Sequence, residues 1–221
     1  MWVLPVLGTF FVTLCVIFLA RHFLTASLFL DNPDSVRKMQ GVGVPRIGGL
    51  AVFVSVMLML CLFWDMSMGF LWYFLGAFVM VLLGVFDDLF SLKWQFKLSV
   101  QFLLGTGLFF LFLSTMDMMT LWGLSFQVAG IMYTLFLLWF LGFVNAVNLL
   151  DGMDGLASGV VGLMVACLGG CGYMLGQSSI AMVQWVFLGA LLAFWVFNRN
   201  PARIYLGDSG SLFLGFHVAM S

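Results

Sequence analysis

The sequence predicts an all-α, polytopic membrane protein, and two observations carry that prediction. Hydrophobic residues make up 64% of the 221 residues and charged residues 8%, with a mean hydropathy of +1.18. A soluble domain is about half apolar and about a quarter charged. The apolar residues also form long runs near the roughly 20 residues that cross a bilayer as a helix, without the alternation that a membrane β-barrel requires.

These runs predict a transmembrane helix bundle of about eight spans, organised as a single integral-membrane domain over residues 1–221. The complete runs are residues 3–20, 47–64, 70–86, 98–115, 128–150, 156–175 and 180–197, and an eighth opens at Ser211. The first run lacks the basic start and the small-residue cleavage site of a signal peptide. It is therefore predicted to be a retained helix.

The basic residues predict the orientation of the chain. All eight Lys and Arg residues fall in or beside the loops after the first, third and seventh spans, and the opposite junctions hold none. They are Arg21, Arg37, Lys38, Arg46, Lys93, Lys97, Arg199 and Arg203. Because loops rich in Lys and Arg stay in the cytoplasm, the N-terminus is predicted to lie outside, and Asp65 and Asp117 are predicted to be interfacial residues on the outer side.

The first polar cluster on the predicted cytoplasmic side is GVFDDLFSLKWQFKL, where Asp87 and Asp88 end the third span. Two adjacent carboxylates repel one another, and a divalent cation or a neighbouring base relieves that repulsion. The alternative is a solvated helix end without a chemical role.

Two further clusters lie on the same predicted side. NAVNLLDGMDG joins the fifth and sixth spans and carries Asn145, Asn148, Asp151 and Asp154 at intervals of three. Two Asp-Gly turns would account for its glycines, but not for asparagines at a membrane boundary. In FNRNPARIYLGDSGS, Asp208 lies among small residues whose backbone N–H groups can face an anion, or it caps the eighth helix.

The combination of the three clusters predicts a site for Mg²⁺ and phosphate groups. Aspartate oxygens beside Gly and Asn suit a hard cation and a close approach of phosphate to the backbone. A zinc site or a disulfide is not expected, because all four cysteines lie within spans: Cys15, Cys61, Cys167 and Cys171.

Four motifs, taken in order and at their separations, resemble the polyprenyl-phosphate N-acetylhexosamine-1-phosphate transferases of glycosyltransferase family 4 type. They are VPRIGGLAVF, DDLFSLKWQFKL, NAVNLLDGMDGLASGV and FNRNPARIYLGDSGSLFLGF. The resemblance covers nearly the whole chain from about Asp31 onward. VPRIGG and DDLFSLK are more similar to the branch that transfers GlcNAc-1-phosphate than to the branch that transfers phospho-MurNAc-pentapeptide.

The resemblance implies a Mg²⁺-dependent transferase of the bacterial inner (plasma) membrane with a cytoplasmic active site. Undecaprenyl phosphate would attack the sugar-linked phosphorus of a UDP-N-acetylhexosamine, giving an undecaprenyl-pyrophosphate sugar and UMP. This reaction would initiate a cell-envelope polysaccharide such as teichoic acid or lipopolysaccharide. Mn²⁺ is an alternative cofactor, a homodimer is compatible with the superfamily, and no nucleic-acid partner is expected.

The resemblance also implies roles for individual residues. Asp87 and Asp88 match paired aspartates that are proposed to help bind the metal and to orient or deprotonate the lipid phosphate. Asp208 matches the magnesium-binding aspartate. The candidates for binding the nucleotide and the phosphates are Asn145, Asn148, Asp151, Asp154, Lys93 and Arg46. For Lys93, an anchor on the basic side of the membrane is an equally good interpretation.

The sequence departs from the family pattern at three places. A third aspartate of the first motif is Ser91 here, and a histidine before VPR is Gln40. The histidine-rich loop of the family would follow Ser221, so the natural protein is expected to continue, or this chain to be a fragment that lacks the C-terminal helices. His22 and His217 are predicted to be interfacial or packed histidines that do not replace that loop.

The sequence is also compatible with two alternative functions. One is a truncated, inactive or accessory homologue of the transferase. The more distant one is a secondary transporter, because carboxylates within a membrane often mark ion pathways. Transporter sites usually lie near the midplane and within internal repeats, whereas these aspartates lie at span ends, and no repeat relates the first four spans to the last four.

Overall fold

The computed structural model of the protein describes residues 3–23, 30–31, 44–63, 68–115 and 126–221. Its helices are α1 (Val3–Phe23), α2 (Gly48–Phe63), α3 (Met68–Phe90), α4 (Trp94–Thr115), α5 (Phe126–Leu150), α6 (Leu156–Met174), α7 (Ser178–Asn198) and α8 (Gly207–Met220). A short antiparallel pair joins β1 (Leu30–Asp31) to β2 (Val44–Pro45), with Leu30 opposite Pro45. The predictions for Arg37, Lys38, Gln40, Asp65 and Asp117 lie outside the described residues.

The predicted class, an all-α polytopic membrane protein, is confirmed. Within the described ranges, five helices are long and apolar enough to cross a membrane: α1, α3, α5, α6 and α7. Helix α2 is a shorter apolar helix. The number of spans and the side on which the N-terminus lies stay predictions.

The helices extend further than the apolar runs at the ends that carry the aspartates. Helix α3 continues past the predicted residue 86 to Phe90, α4 begins at Trp94 and not at residue 98, and α8 begins at Gly207 and not at Ser211. A hydropathy run ends at its first charge, whereas a helix ends where its backbone hydrogen bonds end. Asp87 and Asp88 are both paired, so α3 carries them inside its last turns.

Helix α8 lies at the centre of the described bundle and packs against α2, α3 and α5. Residues 209–219 are all buried. Two glycines let the backbones touch: a Cβ atom on Gly49 would overlap the backbone of Gly210, and one on Gly84 would overlap the backbone of Ser209. Close packing of this kind is a main source of helix association in lipid, and it fixes the start of α8 beside the end of α3.

The buried His217 is packed within α8, as predicted. Its Nδ1 lies 2.9 Å from the Tyr73 hydroxyl and its Nε2 lies 3.0 Å from Oε1 of Gln184. The imidazole ring stacks on Phe187 with the ring centroids 3.5 Å apart. The histidine therefore joins α3, α7 and α8 and lies outside the cavity described below.

The turn between α3 and α4 contains a residue with a left-handed backbone. Ser91, at the position of the family's third aspartate, has φ 49°. Its N–H donates to the carbonyl oxygen of Asp87 at 2.8 Å, which closes the last turn of α3. This position after a helix favours glycine, because a Cβ atom makes the left-handed region costly by about 1–2 kcal/mol.

Ser91→Gly is expected to raise the thermal midpoint by about 1–3 °C, because glycine removes that backbone cost. Thermal unfolding of the purified protein in detergent measures the change. Ser99→Gly is a matched control, since Ser99 is exposed within α4 and the same substitution in a helix interior costs about 0.5 kcal/mol. A midpoint lowered equally by both substitutions would contradict the explanation.

Candidate active site

A cavity of about 400 Å³ opens where α3, α5 and α7 end and α8 begins. The residues around it come from four separate parts of the chain. They are Arg46, Asp88, Asn148, Leu149, Asp151, Gly152, Met153, Asp154, Asn198, Tyr205, Gly207 and Asp208. The structure thus brings together residues from each motif noted in the sequence.

Asp208 lies in the first turn of α8 and faces α5 across the cavity. The Asn148 amide Nδ2 donates to Oδ1 of Asp208 and, at 2.8 Å, to the Ser211 hydroxyl oxygen. The pKa of Asp208 is raised from 3.8 to about 6, with burial as the largest cause; the adjacent carboxyl groups of Asp87 and Asp88 also raise it, and the Asn148 hydrogen bond lowers it in part. The carboxylate is therefore held in place by Asn148 and crowded by other negative charges.

Asp151 lies on the turn after α5 and adds a third carboxyl group to the cavity wall. Burial is the largest cause that raises its pKa to about 8, followed by the charges of Asp208 and Asp88. Arg46 and the backbone N–H of Gly207 lower it in part. An ionised carboxylate at each of these positions is unfavourable unless a cation enters the cavity.

Asp87 and Asp88 are adjacent but have different partners. Asp87 Oδ1 accepts a hydrogen bond from the Leu92 backbone N–H at 2.8 Å, and Oδ2 accepts one from the Lys97 ammonium group. Asp88 Oδ1 and Oδ2 each accept a backbone N–H at 3.1 Å, from Asp208 and Ser209. Asp88 lines the cavity, whereas Asp87 does not line it and contacts the Asp208 carboxyl group.

The Arg46 guanidinium group brings positive charge to the cavity, and its Nη1 lies 3.5 Å from Oδ1 of Asp88. The backbone on both sides of it is tied to the segment before α8. Pro45 accepts the Tyr205 N–H at 2.9 Å, and the Gly48 N–H donates to the Tyr205 carbonyl at 3.0 Å. The position of Arg46 is thus fixed relative to Asp208.

The turn DGMDG is fastened to the segment after α7. Asp154 Oδ2 accepts the Ala202 N–H at 3.0 Å and the Asn200 side-chain amide at 3.2 Å. The buried Asn198 accepts the Gly155 N–H at 3.1 Å and the Ser158 hydroxyl at 3.0 Å through its Oδ1. Asp154 therefore lies at the cavity wall, and one of its carboxylate oxygens already accepts hydrogen bonds from the protein.

Comparison with known proteins identifies the family. Residues 70–221 match the family model described as glycosyl transferase family 4. The chain belongs to this family. The predicted resemblance is confirmed.

Named relatives of this family 4 chain come from two branches. It is 33% identical over 204 residues to a probable undecaprenyl-phosphate N-acetylglucosaminyl 1-phosphate transferase of Bacillus subtilis, covering 86% of the chain and 54% of the relative. It is 32% identical over 191 residues to an undecaprenyl-phosphate alpha-N-acetylglucosaminyl 1-phosphate transferase of Thermotoga maritima, covering 86% and 55%. It is 37% identical over 203 residues to a phospho-N-acetylmuramoyl-pentapeptide-transferase of Streptococcus pneumoniae, covering 84% and 61%. The chain thus spans between about half and three fifths of the relatives it matches.

Besides Asp87, two of the residues predicted for the site of this family 4 chain do not line the cavity. Lys93 is exposed in the turn before α4 and does not line the cavity. Asn145 does not line it either: its amide donates to Oε1 of Gln101 at 2.7 Å and to the Leu141 carbonyl at 2.8 Å. Asn145 therefore joins α5 to α4, whereas Asn148 joins α5 to α8.

Three residues around the site of this family 4 chain were not predicted from the sequence. Lys97 neutralises Asp87, Asn198 holds the DGMDG turn, and Tyr205 forms an aromatic part of the cavity wall. Lys97 follows Lys93 by about one helical turn, which places the two on the same face, so the spacing does not indicate which lysine pairs with Asp87. Asn198 and Tyr205 stand within the quoted fourth motif, where their spacing carries no signal.

The donor set of this family 4 chain fits Mg²⁺ that is shared with a phosphate ligand. Among the described residues, no three Asp, Glu, His or Cys side chains converge closely enough to hold an ion by themselves. Magnesium sites that include substrate phosphates usually take only one or two carboxylates from the protein. Asp208 and Asp151, both crowded by negative charge in one cavity, are carboxylates of this kind.

Proposed function

We propose that the protein transfers a HexNAc-1-phosphate, with GlcNAc-1-phosphate the expected group, from a UDP-sugar to undecaprenyl phosphate. One observation carries the proposal: carboxylates from three separate motifs and the Arg46 guanidinium group line one cavity at the helix ends. The lipid phosphate oxygen bonds to the phosphorus that carries the sugar, the pyrophosphate P–O bond breaks, and UMP leaves. Membership of family 4 and the names of the relatives support this reaction class.

The proposed mechanism depends mainly on position and charge. Phosphoryl transfer needs little covalent chemistry from the protein, and a phosphate nucleophile, with its second pKa at about 6, is largely ionised near neutral pH. Asp208 and Asp151 would hold Mg²⁺, which when bound neutralises charge on the pyrophosphate. Arg46 adds donors for phosphate oxygens, and Asn148 orients the Asp208 carboxylate.

The rim of the cavity suits a lipid acceptor next to a soluble donor. Leu149 and Met153 line the cavity and are 82% and 69% exposed, so they form an apolar edge. Tyr205 and Asp154 lie among the other residues of the wall, where a polar nucleotide would be accommodated. A secondary transporter is less well supported, because the carboxylates lie at helix ends and in the connecting turns.

A transferase assay in membranes tests the proposal. Membranes that contain the protein receive undecaprenyl phosphate, Mg²⁺ and either tritium-labelled UDP-GlcNAc or labelled UDP-MurNAc-pentapeptide. Labelled lipid and an equal amount of UMP from UDP-GlcNAc are expected, with loss of product in EDTA and recovery in Mg²⁺ or Mn²⁺. Product from the pentapeptide donor alone would move the protein to the other branch, and no product from either donor would favour the inactive or accessory homologue.

Asp151→Asn is expected to lower UDP-sugar turnover about 100-fold without lowering the thermal midpoint. The substitution removes a carboxylate from the cavity but keeps an oxygen that accepts the Gly207 N–H. Because burial and neighbouring charges raise the Asp151 pKa to about 8, its ionised form does not stabilise the fold, and a neutral amide is not expected to destabilise it. Initial rates in membranes and thermal unfolding in detergent measure the two effects, with Asp117→Asn, predicted to lie on the opposite side of the membrane, as control. Full activity in Asp151→Asn would contradict the assignment.

A further inference from the structure

The first backbone N–H groups of α8 have no cap from their own part of the chain. A helix begins with N–H groups that lack an intrahelical acceptor, and a Ser, Thr, Asn or Asp at the N-cap usually supplies one. Here the residue before the helix is Leu206, and no side chain at that position makes a capping hydrogen bond. The start of this buried helix therefore depends on an acceptor from elsewhere in the fold.

Asp88 of α3 supplies that acceptor. Its Oδ1 accepts the Asp208 N–H at 3.1 Å and its Oδ2 accepts the Ser209 N–H at 3.1 Å. The Asp88 side chain is 2% exposed. A carboxylate placed at the positive end of the helix dipole is stabilised there, and the nearby Arg46 adds to this effect. Asp88 thus fills the place of an N-cap residue, although it lies 120 positions away in the sequence.

Two glycines leave room for the Asp88 carboxylate to make this contact. Gly207, the first residue of α8, has φ 74°, and a Cβ atom there would lie 2.8 Å from Oδ2 of Asp88. Gly84, one turn before Asp88 on α3, contacts the backbone of Asp208 and Ser209 directly. Glycine on both sides lets the carboxylate reach the N–H groups. Two consecutive turns of α3, at Gly84 and Asp88, therefore contact the start of α8.

Asp88 and Asp87 differ in the partners that they contact. Both oxygens of Asp88 are engaged by backbone N–H groups, and one of those groups belongs to Asp208 itself. Asp87 instead pairs with Lys97 and lies against the Asp208 carboxyl group. Of the two, only Asp88 fixes the backbone that carries Asp208.

We propose that Asp88 is a positioning residue: as an N-cap supplied by α3, it holds the α8 backbone so that the Asp208 carboxylate points into the cavity. The part of the test that measures transferase activity rests on the function proposed above, whereas the part that measures thermal unfolding does not. The proposal replaces a direct chemical role for Asp88 with one exerted through Asp208.

Asp88→Asn and Asp88→Ala distinguish the two roles. Asparagine caps helices about as well as aspartate, whereas alanine does not. Asp88→Asn is expected to keep transferase activity within about tenfold of the wild type, because its single amide oxygen still accepts one of the two N–H groups, as an ordinary N-cap does. Asp88→Ala is expected to lose about 100-fold, to need about tenfold more Mg²⁺ for half-maximal rate, and to lower the thermal midpoint by about 2–4 °C.

The outcomes decide the proposal whether or not the transferase assay succeeds. An Asp88→Asn protein that is as inactive as Asp88→Ala, yet unfolds at the wild-type temperature, would overturn it in favour of direct chemistry. The cap itself would be overturned if Asp88→Ala and the wild type unfolded at the same temperature, or if both variants lowered the thermal midpoint by the same amount. If the wild type shows no transferase activity, the proposed function fails, and the two midpoints measured in detergent still support or overturn the cap.

Discussion

Replacing Asp208 with Asn is expected to reduce sugar-phosphate transfer by about 10²–10³-fold, the loss that follows when one charge-stabilising group is removed from a preorganised site. The substitution keeps the size of the side chain and an acceptor for the Asn148 amide, but it removes the carboxylate charge beside Asp151. Initial rates across a range of Mg²⁺ concentrations measure the loss, and added Mg²⁺ is not expected to restore the rate.

The same variant is expected to be at least as stable as the wild type. Burial, with the neighbouring carboxyl groups of Asp87 and Asp88, raises the pKa of Asp208 from 3.8 to about 6, so between those pH values the folded protein binds a proton that the unfolded chain releases. The contribution of Asp208 to stability therefore falls as the pH rises from about 4 to about 6, and at neutral pH the ionised carboxylate weakens the fold. Asparagine removes that cost.

Stability and rate together make this test decisive. A thermal midpoint well below that of the wild type would assign the lost activity to unfolding and contradict the electrostatic explanation. Activity within twofold of the wild type would exclude Asp208 as the principal carboxylate of the site. Asp117→Asn is again the matched control, because the same chemical change is made where the sequence predicts no site.

Replacing Gly84 with Ala is expected to destabilise the protein by about 3 kcal/mol, at the upper end of the range for overpacked cores. The added Cβ would overlap the backbone of Ser209 and Asp208, and backbone cannot rotate aside as a long side chain does. Helix α8 must therefore move away from α3. For a chain of this length the thermal midpoint should fall by roughly 6–12 °C, and transferase activity should fall with it, because Asp208 moves with the helix.

Gly162→Ala provides the matched comparison for Gly84→Ala. Gly162 lies within α6, and a Cβ atom there would have no atom within 4 Å apart from its own helix backbone. Alanine is favoured over glycine in a helix by about 1 kcal/mol, so this variant should unfold at or above the wild-type temperature. Similar midpoints for the two variants would show that the contact between α3 and α8 is not tight.

Much of the fold was predictable from the sequence because the membrane imposes a simple rule. A helix in lipid must satisfy its own backbone, so each apolar run corresponds to a helix in the structure. The ends were less predictable. The runs stop at the first charged residue, and the helices α3 and α4 continue through Asp87 and Lys97 because these two side chains neutralise one another.

The site was predictable as a set of motifs but not as a set of contacts. Asn145 and Asn148 differ by three positions and thus by about 60° around α5, which the sequence suggested would give them a shared role. In the structure that angle is enough to direct one amide to Gln101 of α4 and the other to Asp208 of α8. Which neighbour lies on each side of α5 depends on packing between distant segments, and the local pattern does not encode it.

The enclosure of α8 has a consequence for how the protein responds to its membrane. Residues 209–219 are buried by the helices described around them, so this part of α8 does not contact lipid. Outer helices such as α1 and α6, with Leu4 at 69% exposure and Leu163 at 71%, therefore meet the lipid and adjust to bilayers of different thickness by tilting. We expect the geometry around Asp208 to be insulated from that adjustment, so that the protein works in thin and thick bilayers with the same arrangement of carboxylates.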